Sequence, residues 1–382
     1  MKKIVVLGST GSIGQQTLDV VRHMPKEFCV IALCAGSDAA LLRAQAQEFH
    51  PAYLGLCDSG NAGMLKDMGC EVVAGENAAA ELSALPEADI IVNGVSGFAG
   101  MAPLICALRA GKTVALANKE SIVCGDGLIK DVLRRQGGRI IPVDSEQSAL
   151  YQCLFGGARG EVKRLMLTAS GGPFRTYSRE RMQSVTPAEA LRHPTWKMGK
   201  KITVDCATLF NKGLEVMEAA YLFDMPFDKI SVVIHPESIV HSMVEFVDNA
   251  ILAQLSAPDM RLAIQYALTE TSRMPGGFGT LDLAKLGALH FEPPDEGRFP
   301  ALRLAYAALR EGGALPIAYN GANEVAVRLF LQERLGFMDI AACVEHAMGH
   351  IHHAAPKEID EIFDIDAQAR RLASAFAERN PG

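Results

Sequence analysis

KKIVVLGSTGSIGQQTLDVVRHM, residues 2–24, decides the fold. Ile4 to Leu7 form an unbroken apolar run that fits a strand buried on both faces, and beyond Ser12 the apolar residues recur at helical spacing. Between these segments Gly8, Gly11 and Gly14 permit a tight turn, and the helix that follows offers its amino terminus to an anion. Strand, glycine turn and helix in that order read as the start of a nucleotide-binding domain. The spacing G-x-x-G-x-x-G departs by one position from the usual fingerprint.

The rhythm continues outward from this stretch. FCVIALCAG, AYLGLC, EVVAG, ADIIVNG, TVALAN and RIIPVD read as further strands, with helices predicted over 39–49, 101–110 and near 129–136. Buried strands joined by helices imply a parallel sheet, so residues 1–143 are expected to form an α/β, doubly wound, Rossmann-like domain. After that point VKRLMLTASG, KKITVD, KISVVIHP, SIVHSMVEFV and AILAQLSA suggest an antiparallel or mixed sheet. Residues 144–270 are therefore expected to be an α+β domain whose apolar strand faces can also serve a dimer. Residues 271–300, rich in glycine and proline, read as a linker, and residues 301–382 as a helical domain.

A chain of 382 residues that is 49% apolar is long enough for two or three domains. No uncharged apolar run reaches the roughly 18 residues of a membrane span, and the opening residues are expected to form a strand and glycine turn instead of a signal peptide. Nine cysteines without a C-x-x-C pair argue against a disulfide framework or a thiolate zinc site, which points to the reducing cytoplasm. A net charge of −7 disfavours nucleic acid as a partner.

Candidate site residues gather at strand ends, where parallel sheets bind ligands. After the second strand come Gly36, Ser37 and Asp38; Ser37 can hydrogen-bond a 2′-phosphate and Asp38 would repel one, leaving NADP and NAD both open. Asn118, Lys119 and Glu120 follow a later strand and should line the same crevice. RIIPVD ends in Asp144, Ser145 and Glu146, whose two carboxylates would face the same way on extended chain. With Glu215 they give three oxygen donors, a set that suits Mg²⁺ or Mn²⁺ better than Zn²⁺.

The turn TASGGP places Ser170 among flexible glycines, a fit for an anion. In HPTWKMGKKITVDCATLFNKGLE, residues 193–215, a strand KKITVD is expected to run into a helix on which Asn211, Lys212 and Glu215 share one face. The competing reading of that face is a solvated salt bridge. Residues from about 171 to 200, with Arg175, Arg179, His193 and Trp196, read as a lid. His235 and His241 read as structural, and the histidines at 346, 350, 352 and 353 as a solvated helix end. Two other functions stay open on these residues: a metal-independent NADP dehydrogenase of the semialdehyde type, with Cys124 or Cys206 as nucleophile, and a nucleotide-sensing regulator.

LGSTGSIG, LANKES, PVDSE, ASGGPF, HPTWKMGKKITVD, NKGLE, HPESIVHSMVEF, APDMR and NGANEVAV, in this order from residue 4 to about 340, resemble the 1-deoxy-D-xylulose 5-phosphate reductoisomerase family. The resemblance implies an NADPH-dependent, metal-dependent enzyme of isoprenoid precursor synthesis. Its reaction would convert 1-deoxy-D-xylulose 5-phosphate, a small phosphorylated sugar, to 2-C-methyl-D-erythritol 4-phosphate. It further implies a cytoplasmic, V-shaped homodimer. By motif, Asp144, Glu146 and Glu215 would hold the metal; Ser170, Asn211 and Lys212 the phosphate; Lys119, Ser145 and His193 the substrate backbone; and Trp196 would belong to the lid. Gly8, Thr10, Gly11, Ser12, Ile13, Gly36, Ser37, Asp38, Asn118, Lys119, Glu120, Met198 and Gly199 fall on the cofactor side. Cys206 stands at a phosphate-binding position where the family has serine, and Asp38 where it commonly has asparagine.

Overall fold

The computed structural model describes residues 1–196 and 198–379, so Lys197 of the HPTWKMGK stretch and the last three residues lie outside it. The chain forms two compact units. One comprises Met1–Ser121, Ile129–Ser148 and Asp259–Gly279; the other comprises Ile122–Leu128, Ala149–Pro258 and Thr280 onward.

The first unit is built on seven strands: β1 (Lys2–Leu7), β2 (Phe28–Ala35), β3 (Tyr53–Leu56), β4 (Glu71–Ala74), β5 (Ile90–Asn93), β6 (Thr113–Leu116) and β7 (Arg139–Pro142). They pair in the order β4-β3-β2-β1-β5-β6-β7, and every pairing is parallel. Strand order therefore reverses beside β1, which places the switch point at Gly8, Gly36 and Gly94. Ile4 to Leu7 are wholly buried, as their unbroken apolar run requires.

Helix Lys119–Gln136 begins ten residues earlier than the sequence pattern placed it. Gly125 and Gly127 each weaken a helix by about 1 kcal/mol, but the Asn118 cap and the burial of Ile122, Val123, Leu128 and Ile129 outweigh them. A second correction concerns helix Met260–Leu268, which falls in this unit and not with the α+β sheet. Its Ile264, Ala267 and Leu268 enter the core with Leu18 and Val21, and Arg261 pairs with Asp19 at 3.1 Å.

The second unit holds a mixed sheet of β8 (Val162–Ala169), β9 (Ile230–Ile234), β10 (Val240–Phe246) and β11 (Ile251–Leu255), in the order β11-β10-β8-β9. β10 runs antiparallel to both its neighbours, while β8 and β9 are parallel. KKITVD, expected as a strand, lies in helix Lys200–Thr208. Its alternation is outvoted by burial at helical spacing, with Thr203, Val204, Ala207 and Thr208 on one face. The single helix expected from Cys206 onward is also divided. Leu209 adopts a left-handed conformation (φ 64°) and a new helix, Phe210–Leu222, starts there. Such a conformation costs a non-glycine residue on the order of 1–3 kcal/mol, and burial of the Leu209 side chain helps to hold it.

Four helices complete this unit: Ala301–Glu311, Leu315–Leu331, Asp339–Gly349 and Ile359–Arg379. Helix 315–331 buttresses the helices before it. Asn323 Nδ2 donates to the buried Asp205 Oδ1 at 2.8 Å, and the Tyr319 ring packs at a tilt of 46° against Phe210 with ring centroids 5.0 Å apart. The Tyr319 hydroxyl lies 2.0 Å from where a Cβ on Gly213 would stand, so only glycine fits between Lys212 and Leu214. Gly213→Ala should lower stability by about 1–3 kcal/mol, as overpacking does, and Tyr319→Phe should restore part of the loss in the double variant. Urea denaturation of the four proteins checks this; additive losses would refute the contact.

Candidate active site

In the first unit the predicted residues lie at the carboxyl ends of the strands. Asn118 caps helix 119–136, its Oδ1 accepting from Ser121 N at 2.9 Å, while its Nδ2 donates to the carbonyls of Val95 and Gly97, both at 2.7 Å. Its amide thus ties the ends of β5 and β6 together. Lys119 and Asp144, both largely buried, form an ion pair at 2.5 Å. Asp144 and Glu146 do not sit on extended chain as expected. Asp144 stands at the entry of helix Ser145–Cys153, its carbonyl accepting from Ser148 N at 2.7 Å, and Glu146 lies in the first turn. A helix amino terminus favours both carboxylates, and Ser145 Oγ donates to Glu146 Oε2 at 2.5 Å.

At the other strand ends, helix Ser12–His23 begins at Gly11 without a side-chain cap. That leaves an uncapped amino terminus suited to a phosphate. Asp38 is an N-cap: its Oδ1 accepts from Leu41 N at 3.0 Å, which commits the carboxylate to helix Ala39–Phe49. The bond turns one carboxylate oxygen toward the helix backbone, and the carboxylate keeps its negative charge. Gly36 has open space where a Cβ would stand.

In the second unit, Asn211, Lys212 and Glu215 meet on helix 210–222. Glu215 is 0% exposed and Lys212 3%, so the solvated salt bridge of the competing reading is excluded. Glu215 accepts from Asn211 Nδ2 and from Lys212 Nζ. Breaking a buried pair from one side costs about 3–5 kcal/mol, so a face built this way needs both partners.

Ser170 and His193 are also brought together. His193 Nδ1 accepts from the backbone N–H of Thr195 (3.2 Å) and of Trp196 (2.9 Å), which fixes the imidazole proton on Nε2. Nε2 donates to Ser170 Oγ at 3.1 Å, and Gly172 N donates to the same oxygen at 3.3 Å. With two donors on its oxygen, the serine hydroxyl is free to donate its own hydrogen onward. The turn lies against Cys206, whose carbonyl oxygen is 2.7 Å from where a Cβ on Gly172 would stand.

The lid segment is partly anchored. It contains the short helices Arg179–Met182 and Pro187–Ala190, and it buries Phe174, Met182 and Ala190. Trp196 lies 6.1 Å from the ring of His241, while Met198 and Gly199 lead into helix 200–208. His235 is structural, as expected: Nε2 accepts from Ile239 N and Val240 N, both at 3.1 Å. Cys124 is buried, and Cys206 sits on a helix whose neighbouring Asp205 pairs with Lys201 at 2.8 Å. Asp205 and Asn323 were missed as site-supporting residues. Their signal in the sequence was a polar residue set in an otherwise apolar helical pattern.

Burial lowers the His193 pKa to about 4. The unfolded chain takes up this proton near pH 6.5, so the histidine subtracts stability as pH falls from about 6.5 toward about 4, and nothing further below that. His193→Gln should therefore lose less thermal stability than the parent between about pH 7 and pH 4.5. Scanning calorimetry checks this, and parallel losses would contradict it.

Three family models match the chain. One described as 1-deoxy-D-xylulose 5-phosphate reductoisomerase covers residues 4–126, its C-terminal domain covers 140–223, and the DXP reductoisomerase C-terminal domain covers 255–372. The 1-deoxy-D-xylulose 5-phosphate reductoisomerase of Chloroherpeton thalassium is 47% identical over 97% of each chain. That of Chlorobium chlorochromatii is 48% identical over 98% of this chain and all of its own. Among solved structures, the Zymomonas mobilis enzyme in complex with NADPH superposes with a TM-score of 0.92 at 42% identity, over 99% of both chains. A DOX-P reductoisomerase in complex with NADPH, fosmidomycin and magnesium superposes with a TM-score of 0.95 at 36% identity over the full length of both. By its motifs, its fold and these relatives, the chain belongs to the 1-deoxy-D-xylulose 5-phosphate reductoisomerase family.

Proposed function

We propose that this chain converts 1-deoxy-D-xylulose 5-phosphate to 2-C-methyl-D-erythritol 4-phosphate, with NADPH and Mg²⁺ or Mn²⁺, on the route to isoprenoid precursors. The observation that carries the reading is the buried Asn211, Lys212 and Glu215 face, which joins a phosphate-binding cation and amide to a carboxylate on one rigid helix. Asp144, Glu146 and Glu215 are the proposed metal ligands. All their donor atoms are carboxylate oxygens, which fits a hard divalent cation. Bound there, the ion would act as a Lewis acid on the substrate ketone.

The residues of the chain then take distinct parts. Ser170, with its hydroxyl hydrogen directed outward, and Asn211 and Lys212 hold the substrate phosphate. Ser145, Lys119 and His193 orient the carbon chain while one carbon–carbon bond breaks and another forms. The neutral His193 donates from Nε2 and does not add a positive charge. Trp196 and the lid exclude water. NADPH, when bound, would supply the hydride that reduces the rearranged aldehyde. Gly8, Thr10, Gly11, Ser12 and Ile13 would cradle the cofactor pyrophosphate at the uncapped helix, and Gly36, Ser37 and Asp38 its ribose. Asn118 and Glu120 would complete the cofactor side, with Met198 and Gly199 at the edge of the lid.

We further propose a cytoplasmic homodimer. Edge strand β11 leaves Ile251 51% and Leu252 42% exposed, a row of apolar side chains and unpaired backbone groups that a second copy would cover. In support of the cytoplasm, all nine cysteines are free, and among the described residues no helix is long and apolar enough to cross a membrane.

Purified protein with NADPH, Mg²⁺ and 1-deoxy-D-xylulose 5-phosphate should oxidise the nicotinamide, and EDTA should abolish the reaction. Glu215→Gln should lower kcat/KM by more than the roughly 10–100-fold that loss of an outer-shell partner costs, with NADPH affinity unchanged. Metal-independent turnover would refute the assignment. Cys206→Ser replaces a weak donor with a hydroxyl next to the phosphate. A hydrogen bond to a charged group is worth about 1.5–3 kcal/mol, so KM for the sugar phosphate should fall about tenfold; an unchanged or higher KM would remove Cys206 from the phosphate site.

A further inference from the structure

Gln45 has no part in any role assigned above. It lies on the face of helix Ala39–Phe49 that also carries Ala39, Leu42 and Ala46, and all four residues are buried. Leu42 and Ala46 enter the hydrophobic core, where an amide is expensive to place. Gln45 Oε1 has no hydrogen-bond partner among the described residues, and a buried acceptor left in this state costs stability. An apolar side chain would fill the position without that cost. What the glutamine adds is one donor: its Nε2 donates to the carbonyl oxygen of Ser9 at 2.8 Å, across 36 residues of chain.

That carbonyl belongs to the turn between β1 and helix Ser12–His23. The peptide unit joining Ser9 to Thr10 is trans, and in a planar trans unit the carbonyl and the N–H that follows it point in opposite directions. Holding the Ser9 carbonyl against the buried face of helix 39–49 therefore turns the Thr10 N–H away from the core. The peptide units on either side are held as well, because Ser9 N donates to the carbonyl of Cys34 at 2.8 Å and Gln15 Nε2 donates to that of Thr10 at 2.7 Å. The Thr10 N–H itself makes no hydrogen bond among the described residues, and Thr10 is partly open to solvent. It stands as an unused donor just before the uncapped start of helix 12–23, where a phosphate is favoured.

We propose that Gln45 is a positioning residue for the cofactor: by fixing the Ser9 carbonyl inward, it aims the Thr10 N–H at the pyrophosphate of NADPH. The proposal rests on the reading of residues 8–13 as the pyrophosphate cradle. Gln45 acts through the turn, from inside the core. Without its amide the buried Ser9 carbonyl loses its donor, and the peptide unit gains by rotating that oxygen toward water. The same rotation carries the Thr10 N–H inward and removes one hydrogen bond to a charged group.

Gln45→Met keeps the length of the side chain and removes the donor. The full-length protein should be titrated with NADPH by fluorescence, and the KM for 1-deoxy-D-xylulose 5-phosphate measured at saturating NADPH. Gln45→Met should raise the NADPH Kd by about tenfold, as expected for one lost hydrogen bond to a charged group, and leave the sugar-phosphate KM as in the parent. Gln45→Asn, whose amide falls one carbon short of Ser9, should give the same split, so the test does not depend on a single variant folding. Gly11→Asp sets a carboxylate at the exposed start of helix 12–23 and should also weaken NADPH binding, which makes it the control on the cradle. If Gly11→Asp weakens NADPH while both Gln45 variants bind it as the parent does, the proposal alone is overturned; a glutamine with a structural role only would lower the unfolding temperature and do no more. An equal rise in the NADPH Kd and the sugar-phosphate KM would also overturn it, since a general loosening would then be the cause. If Gly11→Asp leaves NADPH binding unchanged, the cradle reading fails, and the proposal with it.

Discussion

The buried pair of Lys212 and Glu215 constrains the rest of the second unit. Removing two charges from water costs several kcal/mol for each ion, and mutual attraction repays it only where the geometry is held firmly and hydrogen bonds are added. Asn211 supplies such a bond to the same carboxylate. The surroundings of helix 210–222 supply the rigidity. Leu209 breaks the chain direction just before it, Phe210 and Gly213 lock against Tyr319, and Asp205 on the preceding helix is held by Asn323.

The C-terminal helices are therefore more than a cover. Helix 315–331 contributes Tyr319 and Asn323 to the support of two helices that carry Cys206, Asn211, Lys212 and Glu215. The proposed phosphate-binding face and a carboxylate on one rigid element would hold a substrate in a single pose, which a rearrangement needs if its fragments are to recombine. The neutral His193 matches this arrangement. Its ring is fixed by two backbone donors, so it offers one hydrogen bond in one direction.

The nucleotide unit works by a different constraint. Parallel strands all point their carboxyl ends to one edge, and the reversal beside β1 opens a crevice there. The loop after β2 is tied down on two sides, by the Asp38 cap and by the backbone bonds from Cys57 and Asp58.

The sequence by itself determined the α/β class, the parallel sheet, the mixed second sheet and the family, because buried strands, glycine turns and the NKGLE and PVDSE motifs are local patterns. It also placed Asn211, Lys212 and Glu215 on one helical face, since a four-residue spacing settles that without any partner. It misread KKITVD as a strand and Asp144 to Glu146 as extended chain, and it put helix 260–268 with the wrong sheet. In each case the local pattern was ambiguous, and burial against residues distant in sequence decided it. Only the tertiary structure set Asn323 against Asp205, because a contact between residues so far apart in the chain exists only once the helices have packed.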